Sequence, residues 1–219
     1  MDFIGQIHPA SSKGTFIIMA IEYFTKWVEA STVKTITSTA VKKFIEIKIL
    51  HIYGVPETIV IDHGLSFISK KVEEFASKFK IKMIQSSRYY PQSNGQAEAS
   101  NKILVNIIKR MVTESPKKWH EKLRDILWAY RTSKSAGTGT TPYALTFEQD
   151  VIFPMDINVS SVRIQNKFGL YSEEYIQAMC QGVEDLDVAL IEALDKIQEG
   201  KRVVAQAYNK NVKLKNLEK

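Results

Sequence analysis

Strand-like and helix-like patterns follow one another along the first 85 residues in an order that confines the chain to an α/β architecture. Residues 2–7 (DFIGQI), 15–22 (TFIIMAIE) and 27–33 (WVEASTV) read as strands, the second following the turn-forming run Ser-Ser-Lys-Gly. Tight connections make these three antiparallel. Residues 38–52 carry Val41, Phe44, Ile45 and Ile49 at helical spacing, with Thr37 or Ser38 able to cap the start and Gly54 and Pro56 to end it. Two short strands, 57–61 (ETIVI) and 81–84 (IKMI), flank a helix over 69–79. Strands reached through helical crossovers are expected to be parallel.

Further on, 85–95 (QSSRYYPQSNG) reads as a polar loop, 95–113 as a long helix and 117–132 as a helix containing Trp119, Leu123, Leu127, Trp128 and Tyr130. Residues 135–142 read as a loop and 142–165 as irregular or short elements. From 171 to about 208, Ile176, Met179, Val183, Leu186, Leu190, Leu194 and Ile197 step by three or four, the pattern of a long amphipathic helix that Gly182 and Gly200 weaken.

The length of 219 residues suffices for one sizeable α/β core with extra helices. The formal net charge is +6, and the positive charge is clustered. Residues 99–134 hold nine Lys/Arg against three Asp/Glu, and 201–219 hold six against one, with acidic 171–200 between them. Two basic patches separated by an acidic helix suit a polyanion such as DNA, although a solvated surface has the same composition. The single cysteine, Cys180, leaves no disulfide framework within the chain, which fits a reducing, intracellular compartment. With one cysteine, His8, His51, His63 and His120 make no His/Cys zinc module at a usual spacing. No apolar run reaches 18 residues, so no membrane partner is expected.

Three acids stand out: Asp2, Asp62 and Glu98, the last two separated by 35 residues. Asp62 ends a buried strand and precedes Gly64, and strand ends in open α/β sheets are where ligands bind. An Asp before Gly is also a common turn cap. On the 95–113 helix, Glu98 lies opposite the stripe Ile103, Leu104, Ile107, Ile108 and Met111. Asn101, Lys102 and Lys109 lie near it. That face reads either as a solvated Glu–Lys pair or as a metal ligand followed by phosphate-binding lysines. Carboxylates converging from separate elements repel one another unless a cation lies between them, so the three together read as a divalent-metal site for phosphodiester chemistry.

The strings MDFIGQIHPASSKGTFIIMAIEYFTKWVEA, GVPETIVIDHGLSF, YYPQSNGQAEASNK and WHEKLRDILWAYRTSKSAGTGTTPYALTFEQD resemble the catalytic core of a retroviral-type integrase, specifically that of plant Gypsy-type LTR retrotransposons. The resemblance spans residues 1–157, taken as the catalytic core. A looser similarity continues to about 213, within the helical extension, 158–219. It implies an RNase H-like fold, a five-stranded mixed sheet flanked by helices, with the long amphipathic helix added at the C-terminal side. The family's acidic triad falls on Asp2, Asp62 and Glu98. It implies two Mg²⁺ or Mn²⁺ ions about 3.5–4 Å apart, 3′-end processing and strand transfer. The loop Ser86–Gly95, with Tyr89 and Asn94, resembles the family's active-site loop, and Lys102 aligns with a DNA-contacting position. Double-stranded DNA, a homo-oligomeric state and nuclear residence follow as expectations.

Departures accompany this resemblance. The family's first strand begins before the aspartate, a zinc-binding module precedes it and a DNA- or chromatin-binding module follows. Residues 1–219 contain none of these, so a clipped segment is expected, and activity is open. His63 replaces the family's Asn or Gln and is expected to face solvent. Glu22 stands where Asp is common. A catalytically inactive remnant that still binds nucleic acid is the alternative. A ribonuclease H-type nuclease with the same metal pair fits the later segments less well.

Overall fold

The computed structural model describes residues 1–86, 105–107, 110, 118–152 and 172–210. It divides into two compact units, Met1–Tyr130 and Arg131–Lys219. The boundary expected at 157/158 falls outside the described residues.

In the first unit β1 (Asp2–Ile4), β2 (Phe16–Ile21) and β3 (Val28–Val33) form an antiparallel sheet in the order β1-β2-β3. Asp2 lies opposite Met19 and Ile4 opposite Ile17. Side chains alternate across a strand, so this sheet has two apolar faces. On one face Ile17 and Met19 of β2 and Val28 and Ala30 of β3 pack with Trp119, Leu123, Ile126 and Leu127. On the other, Ile18 packs with Val41, Phe44, Ile45, Ile59, Ile61, Phe67, Val72 and Phe75. β1 is shorter than the expected 2–7, and a loop leads from Gly5 to β2.

Helix α1 (Ser38–Phe44) starts at Thr37, whose hydroxyl accepts a hydrogen bond from Ala40 N at 3.2 Å. It runs through a π-helical stretch, Ile45–Leu50, to a last turn, His51–Tyr53, and ends at Gly54 with φ 83°. β4 (Thr58–Ile61), α2 (Lys70–Lys78) and β5 (Lys82–Gln85) complete a crossover, and β4 and β5 pair in parallel as expected. These two strands form a separate two-stranded sheet, not part of one five-stranded sheet with β1–β3. Both strands at the junction are short, and a hydrogen bond from the Met1 amino group to the Val60 carbonyl links them. Helix α3 (Trp119–Thr132) packs its buried Trp119, Leu123, Ile126 and Leu127 on the β2–β3 face.

In the second unit, α4 (Pro142–Phe147) is a short element at the start of the segment read as irregular or short elements. Thr141 caps it by accepting from Ala144 N at 3.0 Å, and Pro142 stands in its first turn. Helix α5 (Ser172–Lys210) covers the predicted long helix. Ala193 and Ile197 are buried on it. Leu190 is half-buried and Leu194 exposed, so the expected apolar stripe is only partly covered. Among the described residues no helix is long and apolar enough to cross a membrane.

Candidate active site

Asp2 and Asp62 lie far apart in the chain, and three contacts converge on their segments. The Met1 amino group reaches from the edge of β1 to the Val60 carbonyl of β4. The rings of Phe3 and Phe67 meet with centroids 4.9 Å apart, which ties the turn after Asp62 to β1. Phe67 N closes that turn on the Gly64 carbonyl at 2.9 Å. The pleat then sets the faces. Phe3 packs with the Ile18–Val41 cluster while Ile4 packs with the opposite one, so Asp2, two residues before Ile4, belongs to the face of Ile4. In β4, Ile59 and Ile61 enter the Ile18–Val41 cluster and Val60 is exposed. Asp62 continues the Val60 side and is exposed.

Electrostatics agree with this placement. Burial lowers the pKa of the Met1 amino group, and the negative charges of Asp2 and then Asp62 act to raise it. Both carboxylates therefore act on one cationic atom. Asp2 Oδ1 also accepts from Phe3 N at 2.7 Å, which orients the carboxylate on the strand. Carboxylates supplied by separate segments are the oxygen donors that a hard divalent cation takes. Among the described residues, no group of three or more His, Cys, Asp or Glu side chains forms a metal-binding cluster. Glu98, the expected third acid, lies outside the described residues, as do Tyr89, Asn94, Asn101, Lys102 and Lys109. Of the predicted 95–113 helix, residues 105–107 and 110 are described and helical.

His63 departs from expectation. Its Nε2 atom is buried and has no hydrogen-bond partner, so the ring does not simply face solvent. A side chain next to a strand-end acid was legible as a site neighbour, but the burial of one ring atom depends on tertiary packing. Glu22 anchors the β2–β3 turn. Its carboxylate accepts from Phe24 N at 3.0 and 3.1 Å and from Thr25 N and Oγ1 at 2.6 Å. Burial raises the Glu22 pKa, but these bonds and the Lys26 charge outweigh it, and the net shift is downward.

No family model matches the chain. A Pro-Pol polyprotein of feline foamy virus is 26% identical over 156 residues, covering 70% of this chain and 13% of that protein. The Transposon Tf2-3 polyprotein of Schizosaccharomyces pombe is 25% identical over 146 residues, covering 66% of this chain and 11% of that protein. The chain thus spans about an eighth of the length of the curated relatives it matches. Among solved structures, the catalytic core domain of BIV integrase superposes with TM-score 0.53 at 22% identity, covering 64% of this chain and 89% of that one. A chain of the simian T-cell lymphotropic virus intasome, solved with the PP2A regulatory subunit B56 gamma, also gives TM-score 0.53, at 21% identity and 59% and 47% coverage. The fold is RNase H-like α/β. More narrowly, the relatives of this chain are retroviral and transposon polyproteins, and its structural neighbours are retroviral integrase catalytic cores.

Proposed function

We propose that this chain is the catalytic core of an LTR-retrotransposon integrase and carries out polynucleotidyl transfer on double-stranded DNA. The observation that supports this reading is the tie between the segments that carry Asp2 and Asp62, residues 60 apart in sequence: the Met1 amino group beside Asp2 donates to the Val60 carbonyl, and the charges of both acids act on it. On this reading β1 and β4 are neighbours in one five-stranded mixed sheet, and the Met1–Val60 bond is what supports that join.

The roles follow from chemistry. Asp2, Asp62 and Glu98 would supply the carboxylate oxygens for two divalent ions, Mg²⁺ or Mn²⁺. When bound, such ions neutralise charge on a reacting phosphate and make a hydroxyl or water a better nucleophile. The protein's own part is positioning. Lys102 and Lys109 hold backbone phosphates as point charges, Asn94 and Asn101 donate hydrogen bonds, and Tyr89 stacks on an unpaired base. An in-line displacement needs no covalent enzyme intermediate, so fixed geometry and charge account for the rate.

The test uses purified protein, Mn²⁺ or Mg²⁺ and a short duplex bearing an element terminus. The chain should nick or join DNA, and Asp62→Asn and Glu98→Gln should each reduce this to background with the fold retained by circular dichroism. Equal activity in the wild type and both variants would refute the assignment. A metal titration of melting temperature separates an active core from an inactive remnant that only binds nucleic acid. A site that binds metal in the folded state stabilises it by about 2.7 kcal/mol at one hundred times the dissociation constant. No shift in Tm supports the remnant.

A further inference from the structure

Phe67 touches the segments of both described acids. It is 2% exposed, in the cluster of Ile18, Val41, Ile59, Ile61 and Phe75. Its backbone N–H closes the turn after Asp62 on the Gly64 carbonyl at 2.9 Å. Its ring lies against Gly64 as well, since Phe67 Cδ2 is 3.4 Å from where a Cβ on Gly64 would stand. Next to it, Ser66 Oγ donates to the Ile36 carbonyl at 3.1 Å and fixes the turn from a second side. The ring of Phe67 then meets that of Phe3, with centroids 4.9 Å apart and planes at 37°. Phe3 N donates to Asp2 Oδ1 at 2.7 Å. A chain of contacts therefore runs from the Asp62 turn through two rings to the Asp2 carboxylate.

We propose that Phe67 is a positioning residue for the candidate metal site: through Phe3 it sets the Asp2 segment against the Asp62 turn, and so sets metal affinity. This rests on the reading of Asp2 and Asp62 as metal ligands. A cation held by carboxylates from separate segments needs those segments at one spacing. Groups that orient metal ligands from behind typically carry about 10–100-fold in affinity. Phe75 supplies the contrast. It is 7% exposed in the same cluster, its ring meets Phe79 with centroids 5.1 Å apart, and Lys42 Nζ stands 5.3 Å over it. Those contacts lead along α2 and to α1, not to a segment that bears a candidate acid. A leucine at either position leaves part of the ring's volume unfilled, and neighbours shift to close the gap. At Phe67 the neighbours are Phe3 and Gly64, so the shift passes to the acids. At Phe75 it is spent within the helices.

The test reads metal binding rather than turnover. In the full 219-residue chain, Mn²⁺ is titrated by the electron paramagnetic resonance signal of the free ion, well below the Tm of each variant and with the fold checked by circular dichroism. Asp62→Asn marks loss of the site. Phe67→Leu should weaken Mn²⁺ binding about tenfold. Phe75→Leu should leave it within about twofold, even where its Tm falls as far. Phe3→Leu should weaken binding as well, and the double variant Phe3→Leu/Phe67→Leu no further than the weaker-binding single, because the same contact is lost in each. Phe3 is only partly buried, so Phe3→Leu decides the matter if Phe67→Leu does not fold. Equal weakening by Phe67→Leu and Phe75→Leu would reduce the ring to ordinary packing and overturn the proposal. So would effects at positions 3 and 67 that multiply in the double variant, or parent-like affinity in Phe67→Leu. In those cases the parent still binds Mn²⁺ and Asp62→Asn does not, so the metal reading survives. A parent chain that binds no Mn²⁺ overturns both.

Discussion

The Met1–Tyr130 unit and helix α5, each taken by itself, show contacts of opposite range. In the first unit, Trp119 Nε1 donates to the Pro9 carbonyl at 3.2 Å and Ser12 Oγ meets His120 Nε2 at 3.3 Å, so a loop near one end of the chain rests on a helix more than a hundred residues later. On α5 the side-chain links among residues 181–202 include local ones. Lys196 pairs with Glu192, Gln181 bonds Asp185, and Arg202 grips Glu199 with two bonds at 2.8 and 2.9 Å. That exposed pair lowers the Glu199 pKa and raises that of Arg202, the hydrogen bond being the larger cause in each. Local pairs on a solvated helix add little each, whereas a buried aromatic that joins distant segments removes a large apolar area from water. Truncation should separate the two regions sharply. Trp119→Ala should cost about 3–5 kcal/mol in chemical denaturation, since Trp119 is 1% exposed against Ile17, Met19 and Val28. Ile191→Ala, at a position 60% exposed, should stay within about 0.5 kcal/mol. Similar losses for both would erase the distinction.

A buried polar link provides a finer probe of the first unit. Glu29 on β3 is buried and accepts from Trp27 Nε1 at 3.1 Å and from Tyr53 Oη at 2.7 Å, with Lys48 Nζ 4.0 Å away. It fastens the end of the α1 helical run to the sheet. Glu29→Ala removes an acceptor shared by two donors and should cost about 2 kcal/mol. Glu29→Gln keeps an acceptor oxygen and should cost less. Equal effects of the two substitutions in a denaturant series would show that packing, not hydrogen bonding, is what matters there.

The same contrast explains what the sequence revealed. β2 and β3 were legible because their Ile, Val and Met residues alternate between two buried faces, and α5 because its apolar positions repeat every three or four residues. Both are local periodicities. The π-helical turns at Ile45–Leu50 were not legible, since a widened turn leaves the apolar spacing nearly unchanged. Helix α4 was legible only as a short element of unstated type, because six residues offer too short a period to tell a helix from a strand. At the candidate site the residue types and the 35-residue spacing were visible. The tie between the segments that carry Asp2 and Asp62 was not, because it depends on Phe3 reaching Phe67 and on the Met1–Val60 bond. Glu98 stands on the resemblance alone, since its Glu–Lys face is also that of many solvated helices.

Gly200 tests the local side of the comparison. A Cβ built there meets nothing within 4 Å, and the residue sits inside α5. Glycine in a helix interior costs backbone entropy relative to alanine. Gly200→Ala should therefore stabilise the helix by about 0.5–1 kcal/mol, seen as a rise in the midpoint of helix loss by circular dichroism. A fall instead would mean that a neighbour crowds that face, and α5 would no longer be governed by its own backbone.

The smallest expected effect asks whether a local contact matters even within the long-range unit. The bonds from Phe24 and Thr25 and the charge of Lys26 require an ionised Glu22 carboxylate, and together they hold its pKa below the usual glutamate value of about 4.3 in the fold. A depressed folded pKa gives stability that is fully present above the unfolded value and is lost as pH falls through the folded one. The loss from Glu22 should thus begin below about pH 4.3 and leave neutral-pH stability flat. Because the side chain is exposed, solvent screens the charge and the amplitude is small. Glu22→Gln should flatten the acid limb of a stability–pH curve between those two values relative to the parent. If the limb keeps its full slope, the acid sensitivity lies in other carboxylates, and the turn is set by the backbone pairing of β2 with β3, which joins Ile21 to Val28 whatever the charge on Glu22.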